Sequence, residues 1–124
     1  MPKNVLKIYH NHSVLLGIVF VIALVVRLVL MPMRWINPDE GAHLMDAKLF
    51  LDGLMPIADF GSRQPFYVFL IAILFKAFGV SLMVGRMLPL VASLIVGVIL
   101  YFMGKQIFDK TTGLLSAVLY LFLP

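Results

Sequence analysis

The stretch Val14-Leu15-Leu16-Gly17-Ile18-Val19-Phe20-Val21-Ile22-Ala23-Leu24-Val25-Val26-Arg27-Leu28-Val29-Leu30-Met31 is apolar throughout except for Arg27. About 18 residues at about 1.5 Å each give about 27 Å of helix, just enough to cross a hydrocarbon core of about 30 Å. The run is too long for the core of a signal peptide, and Met31-Pro32-Met33-Arg34 offers no small-residue cleavage site. It reads as a retained transmembrane helix over 13–33.

Composition agrees with this reading. Of the 124 residues, 62% are apolar and 13% charged, where soluble domains run to about 45 to 50% and about 25%. The net charge of +4 comes from basic residues scattered singly, without the clustered stripe that nucleic-acid binding requires, so they read as topology signals and headgroup contacts. Cysteine is absent, which excludes a disulfide framework and a thiolate metal site. Lys3 and Lys7 precede the first span and only Arg34 follows it closely, placing the N-terminus in the cytoplasm of a multi-pass cell-membrane protein.

Two further apolar segments follow at 86–107 and 112–124. The first can span, with Pro89 expected in its first turn, where a missing N–H costs nothing, and Lys105 in its last. The second is too short to cross, so it reads as a partial span. Between them and the first span, Pro65 to Phe78 is apolar and rich in aromatics, from Phe66 and Tyr67 to Phe78, but its length gives only about 21 Å, which favours an interfacial or re-entrant helix over a span. The expected architecture is all-α and polytopic, with a large extracytoplasmic loop over 34–85 that carries surface helices at 38–53 and 65–78.

That loop opens with Asn37-Pro38-Asp39-Glu40. Asn37 is a good N-cap, Pro38 suits the first helical position, and Glu40 can reach back to the cap N–H in a capping box, which leaves Asp39 free to project. Carboxylates held close to the end of a spanning helix are a functional-site hypothesis by default, because charge is costly near hydrocarbon. At helical spacing Asp39, His43 and Asp46 share one face. His43 and Asp46 form an incomplete ligand set for a divalent ion and read first as a solvated polar face; no cofactor is required, although a divalent metal is compatible with the residues present. Arg27 reads as snorkelling toward headgroups or as partnering an anionic group. Asp59-Phe60-Gly61-Ser62 reads as a turn before the aromatic helix.

A first span, a Pro38-Asp39-Glu40 motif opening a surface helix, then Arg63-Gln64-Pro65-Phe66 leading into a short apolar helix, resembles the membrane glycosyltransferases of the C superfamily, GT-C. Within it, the protein O-mannosyltransferases and the aminoarabinose transferases of lipid A are the nearest in pattern. Gly79-Val80-Ser81, Arg86-Met87-Leu88-Pro89 and Gly104-Lys105-Gln106-Ile107-Phe108 resemble that family's approach to its second true helix. The resemblance implies a glycosyltransferase that moves a sugar from a polyprenyl-phosphate donor to an extracytoplasmic acceptor, a lipid, glycan or protein, with inversion at the anomeric carbon. It makes Asp39 the catalytic base. The leaving lipid phosphate needs cationic or N–H partners, for which Arg63, Arg86 and Arg27 are the local candidates, with Glu40 and Gln64 as further candidate substrate contacts.

The pattern departs from the family in two ways. The lipid A enzymes place a lysine, preceded by an acidic residue, before the equivalent of Pro65, where this chain has Gln64 and Arg63. Family members are also several times longer, so the 124 residues are expected to be an N-terminal portion without activity by themselves. The alternative is a small non-catalytic membrane interaction or scaffold protein derived from such an enzyme. Donor sugar and acceptor have no signature in the residues.

Overall fold

The structure is a computed structural model that describes residues 12–123. Lys3 and Lys7, on which the orientation rests, lie outside the described residues. The described residues form five α-helices: α1 (His12–Leu30), α2 (Pro38–Leu51), α3 (Pro65–Phe78), α4 (Leu82–Ile107) and α5 (Lys110–Phe122), with a 3-10 turn at Met31–Met33. No strand occurs among the described residues; Pro56 and Phe60 make an isolated bridge. The fold is all-α, and Val14–Met33 and Leu82–Ile107 are both long and apolar enough to cross a membrane, with little of either covered by the rest of the chain. These exposed apolar walls are the physical mark of a membrane protein.

Local chemistry explains where the helices begin and end. Pro32 disfavours α geometry at Met31 and removes a backbone donor, so the α-helical part of the first span stops at Leu30 and finishes as a 3-10 turn. The Asn37 side chain accepts from the Asp39 N–H at 3.1 Å and starts α2. At the other end of α2, Gly53 N–H donates to Phe50 O and Leu54 N–H to Leu49 O, the paired bonds of a Schellman stop, with Gly53 at φ +97° as that geometry requires. Helix α4 starts at Leu82, four residues before the expected 86. The Ser81 hydroxyl accepts from the Met83 N–H at 3.3 Å and caps this earlier turn. Pro89 is therefore inside α4 and not in its first turn.

The chain divides into two compact units. Of the described residues, one unit comprises 12–30 together with 90–123, and so holds α1, the greater part of α4, and α5. Here Tyr101, Leu114 and Ala117 are buried, with Leu15, Leu16, Val19 and Phe20 of α1 packed against them. The turn between α4 and α5 brings backbones into contact. A Cβ on Gly104 would lie 2.7 Å from Gly113 Cα, and a Cβ on Gly113 would strike the Tyr101 carbonyl oxygen and come within 2.8 Å of Lys105 N. Small residues at such a crossing replace the hydrophobic driving force that lipid does not supply.

Arg27 belongs to this unit and meets no carboxylate among the described residues. Its guanidinium donates to the Ser93 hydroxyl at 2.6 Å and to Leu121 O at 3.1 Å. The guanidinium thus bridges α1 to both α4 and α5.

The second unit, Met31–Pro89, packs α3 on α2. Val68, Ile71, Ala72 and Phe75 of α3 bury one stripe against Ala47, with Leu44, Phe50, Val84 and Leu88 around it, while Phe66, Ile73 and Phe78 stay exposed on the remaining surface. Gly85 lets α4 approach α2, since a Cβ there would run into the Leu44 side chain.

The glycine crossing yields a test. Gly113→Leu forces α4 and α5 apart against backbone atoms that cannot yield as a side chain would, and should cost about 1 to 3 kcal/mol, the usual range for overpacking. A lowered melting temperature in detergent micelles is expected, whereas Gly17→Leu, where a Cβ meets nothing within 4 Å, should melt as wild type does.

Candidate functional site

The site is built around Arg86, in the second turn of α4 and 7% exposed. Its Nε donates to Glu40 Oε1 at 2.5 Å and its Nη2 to Glu40 Oε2 at 2.9 Å, a two-point engagement of one carboxylate by one guanidinium. The same side chain donates to Met31 O, and through Nη2 to Arg34 O at 3.2 Å and Trp35 O at 3.4 Å. These are carbonyls of the chain leaving the first span, where helical partners have run out. One cation thus joins the exit from α1, the first turn of α2 and the start of α4.

Glu40 is held charged by this arrangement. Bonding to Arg86 lowers its carboxyl below the usual carboxylate range, against an opposing effect of burial, with the Asn37 backbone N–H and Arg34 adding to the lowering. The Asn37 contribution is the capping-box contact expected from the sequence; the Arg86 pair is additional and has no local signature, because 46 residues separate the partners.

Asp39 is placed differently although it is adjacent. It is exposed, and its carboxylate takes no hydrogen bond or ion pair among the described residues; only its backbone N–H is engaged, by Asn37. Of two neighbouring acids, one is bound into the framework and one is left open.

One turn further along α2, His43 departs from the expected solvated face. It is half-buried, its ring stands edge-on to Tyr67 at 5.2 Å between centroids and 76° between planes, and its Nδ1 is buried with no partner. Burial, with the charge of Glu40 adding to it, raises the Tyr67 phenol above its ordinary value, which keeps it a neutral hydroxyl donor. Tyr67 was legible in the sequence only as one member of an aromatic run. His43 and Asp46 find no third ligand: no group of three or more His, Asp or Glu able to hold a metal ion occurs among the described residues.

Arg63 and Gln64 are exposed and make no side-chain hydrogen bond among the described residues. Gln64 is the N-cap of α3 without a capping side-chain bond, so the first-turn N–H groups of that helix lack the usual oxygen partner. The structure therefore brings Glu40 and Arg86 together and leaves Asp39, Arg63 and Gln64 open, while Arg27 is satisfied within the other unit.

A family model described as dolichyl-phosphate-mannose-protein mannosyltransferase matches residues 62–124, just over half of the chain. The matched region starts at Ser62 and so covers Arg63, Gln64, α3, α4 and α5, with α2 and its acidic pair lying before it. No curated protein and no solved structure matches the chain at a significant level.

The ion pair predicts a pH response of known sign. A carboxyl whose value is lowered by folding adds stability above its unfolded value of about 4.3, and that stability is lost as pH falls through the lower folded value. Fluorescence of Trp35, the single tryptophan, whose carbonyl Arg86 holds, should accordingly keep its neutral-pH spectrum through the ordinary carboxylate range and change only below it. In Glu40→Gln that acid transition should disappear, and the spectrum at neutral pH should already resemble the acid form.

Proposed function

The chain belongs to the dolichyl-phosphate-mannose-protein mannosyltransferase family, a glycosyltransferase family, and on that premise we propose that Asp39 is the base for transfer of a sugar from a polyprenyl-phosphate donor to an acceptor hydroxyl. The observation that carries this reading is the unequal fate of the two acids: Glu40 is clamped by Arg86, and Asp39 stands exposed with an uncommitted carboxylate.

The proposed chemistry balances around that carboxylate. The acceptor oxygen attacks the anomeric carbon as Asp39 takes its proton, and the bond from that carbon to the phosphate oxygen breaks with its electron pair, releasing polyprenyl phosphate. Attack on the face opposite the leaving group inverts the anomeric configuration. Charge on the departing phosphate needs donors that are already oriented. Arg63 and Gln64 stand at the uncapped N-terminus of α3, where a cation, an amide and free backbone N–H groups favour an anion. Arg86 serves this reading as a positioning residue, because its donors already face Glu40 and three backbone carbonyls.

The family description favours mannose as the transferred sugar. The orientation proposed is a cytoplasmic N-terminus with residues 34–85 extracytoplasmic, which puts Asp39 on the side where polyprenyl-phosphate sugars are presented to external acceptors.

Replacing Asp39 by Asn keeps size and hydrogen-bonding capacity and removes the ability to take a proton. In membranes carrying the complete gene product, Asp39→Asn should lower transfer of radiolabelled mannose from polyprenyl-phosphate mannose by about 10²- to 10⁴-fold, the usual contribution of a general base. The Trp35 spectrum should stay that of wild type. Activity within about tenfold of wild type would return Asp39 to a helix-start role.

A further inference from the structure

Ile57 sits in the connection between α2 and α3 at φ +78°, a left-handed conformation in which β-branched residues are genuine outliers. The side chain that carries this backbone is 72% exposed, so no packing within the chain compensates for it. The surrounding turn is nevertheless well bonded. Ile57 N–H donates to Phe60 O at 2.8 Å, Asp59 N–H to Met55 O at 2.9 Å, and Met55 N–H to Asp59 Oδ2 at 2.7 Å. Asp59, the only charge between Asp52 and Arg63, is thus engaged by the backbone of its own turn. What the turn presents outward is Leu54, Met55 and Ile57, all exposed.

The unit that carries this tip runs from Met31 to Pro89, and at both ends the chain passes without a linker into the membrane-length segments Val14–Met33 and Leu82–Ile107. A unit attached to the bilayer at both ends has the boundary between headgroups and acyl chains as its adjoining apolar phase. Polar residues tolerate φ > 0 better than isoleucine does, Asn above all, and would suit a tip surrounded by water.

We propose that the Leu54–Ile57 tip inserts into the headgroup–acyl boundary of a phospholipid bilayer, with the left-handed backbone at Ile57 turning that side chain out of the protein toward lipid. This contact does not depend on the sugar-transfer chemistry. It would hold the α2–α3 unit down on the membrane surface through a point remote in sequence from either span.

The absence of cysteine makes the test direct. An environment-sensitive fluorophore is attached to Ile57→Cys, or to Asp52→Cys as an exposed reference, and each protein is reconstituted in phosphatidylcholine vesicles with or without bromines on the upper acyl chain. A side chain about 5 to 10 Å below the headgroup boundary should be quenched about twofold by the brominated lipid, with blue-shifted emission, and the reference much less. Equal quenching at the two positions, or water-like emission at 57, would overturn the proposal, including the case in which Ile57→Cys forms disulfide dimers and thereby identifies a second copy as the occupant. A second variant guards against misfolding: Ile57→Asn, suited to the same backbone, should keep the wild-type far-UV helical signal and weaken lipid quenching of a probe at Met55→Cys. Unchanged quenching at 55 in a variant that keeps this helical signal would overturn the proposal.

Discussion

The Arg86 guanidinium is the point on which the loop unit depends. A cation held 7% exposed is costly unless its donors are met, and they are met by one carboxylate and by carbonyls that the end of α1 leaves without helical partners. Each participant solves another's problem. The carbonyls gain a donor, Glu40 gains a counter-charge, and Arg86 gains acceptors on several sides, so removing any one member strands the others. Gly85, immediately before it, permits α4 to lie close enough to α2 for the guanidinium to reach, with Leu44 filling the space a side chain would take.

This framework gives the acidic pair its division of labour. Two adjacent acids on a helix point in directions about 100° apart, so one faces the unit's interior edge and the other does not. Glu40 has the longer side chain and the inward position, and is held by Arg86; Asp39 remains exposed and uncommitted. On the proposed reading, Glu40 fixes the helix start and leaves the neighbouring Asp39 carboxylate open to an acceptor. The buried, unpartnered Nδ1 of His43 and the neutral Tyr67 hydroxyl lie along the same α2–α3 seam and add polar capacity that nothing else among the described residues satisfies.

The unit of membrane helices is held by different means. Contact there comes from backbone proximity at Gly104 and Gly113, from the small Ala117 buried beside them, and from Arg27 bonded to Ser93 and to Leu121 O. A charge inside a span is thereby made structural. Pro89, inside α4, falls where the two units divide, and its missing N–H removes one bond from the helical ladder at that point.

Residues close together in sequence determined what short-range physics decides. The apolar run from Val14 specifies a membrane-length helix because length and hydropathy are local sums, and Asn37-Pro38-Asp39-Glu40 specifies a helix start because capping acts over three residues. Gly53 likewise marks the end of α2, since only a left-handed residue completes that stop. The partners of Arg86 and Arg27 were not legible. A lone arginine in an apolar stretch fits a headgroup, a phosphate or a carbonyl equally well, and the choice between them is made by whichever acceptors the packing brings within about 3 Å. The surroundings of His43 were not legible for the same reason: helical spacing places it on one face with Asp39 and Asp46, but only the docking of α3, with Tyr67 in its first turn, decides that part of that face is covered. The early start of α4 and the position of Pro89 follow from Ser81, a cap whose hydroxyl is readable in the sequence but whose use depends on how the chain leaves Gly79 at φ +88°. Elements and their boundaries are thus fixed over a few residues, while the uses of charge are fixed by tertiary contact, because a buried ion is stable only where acceptors from distant parts of the chain converge on it.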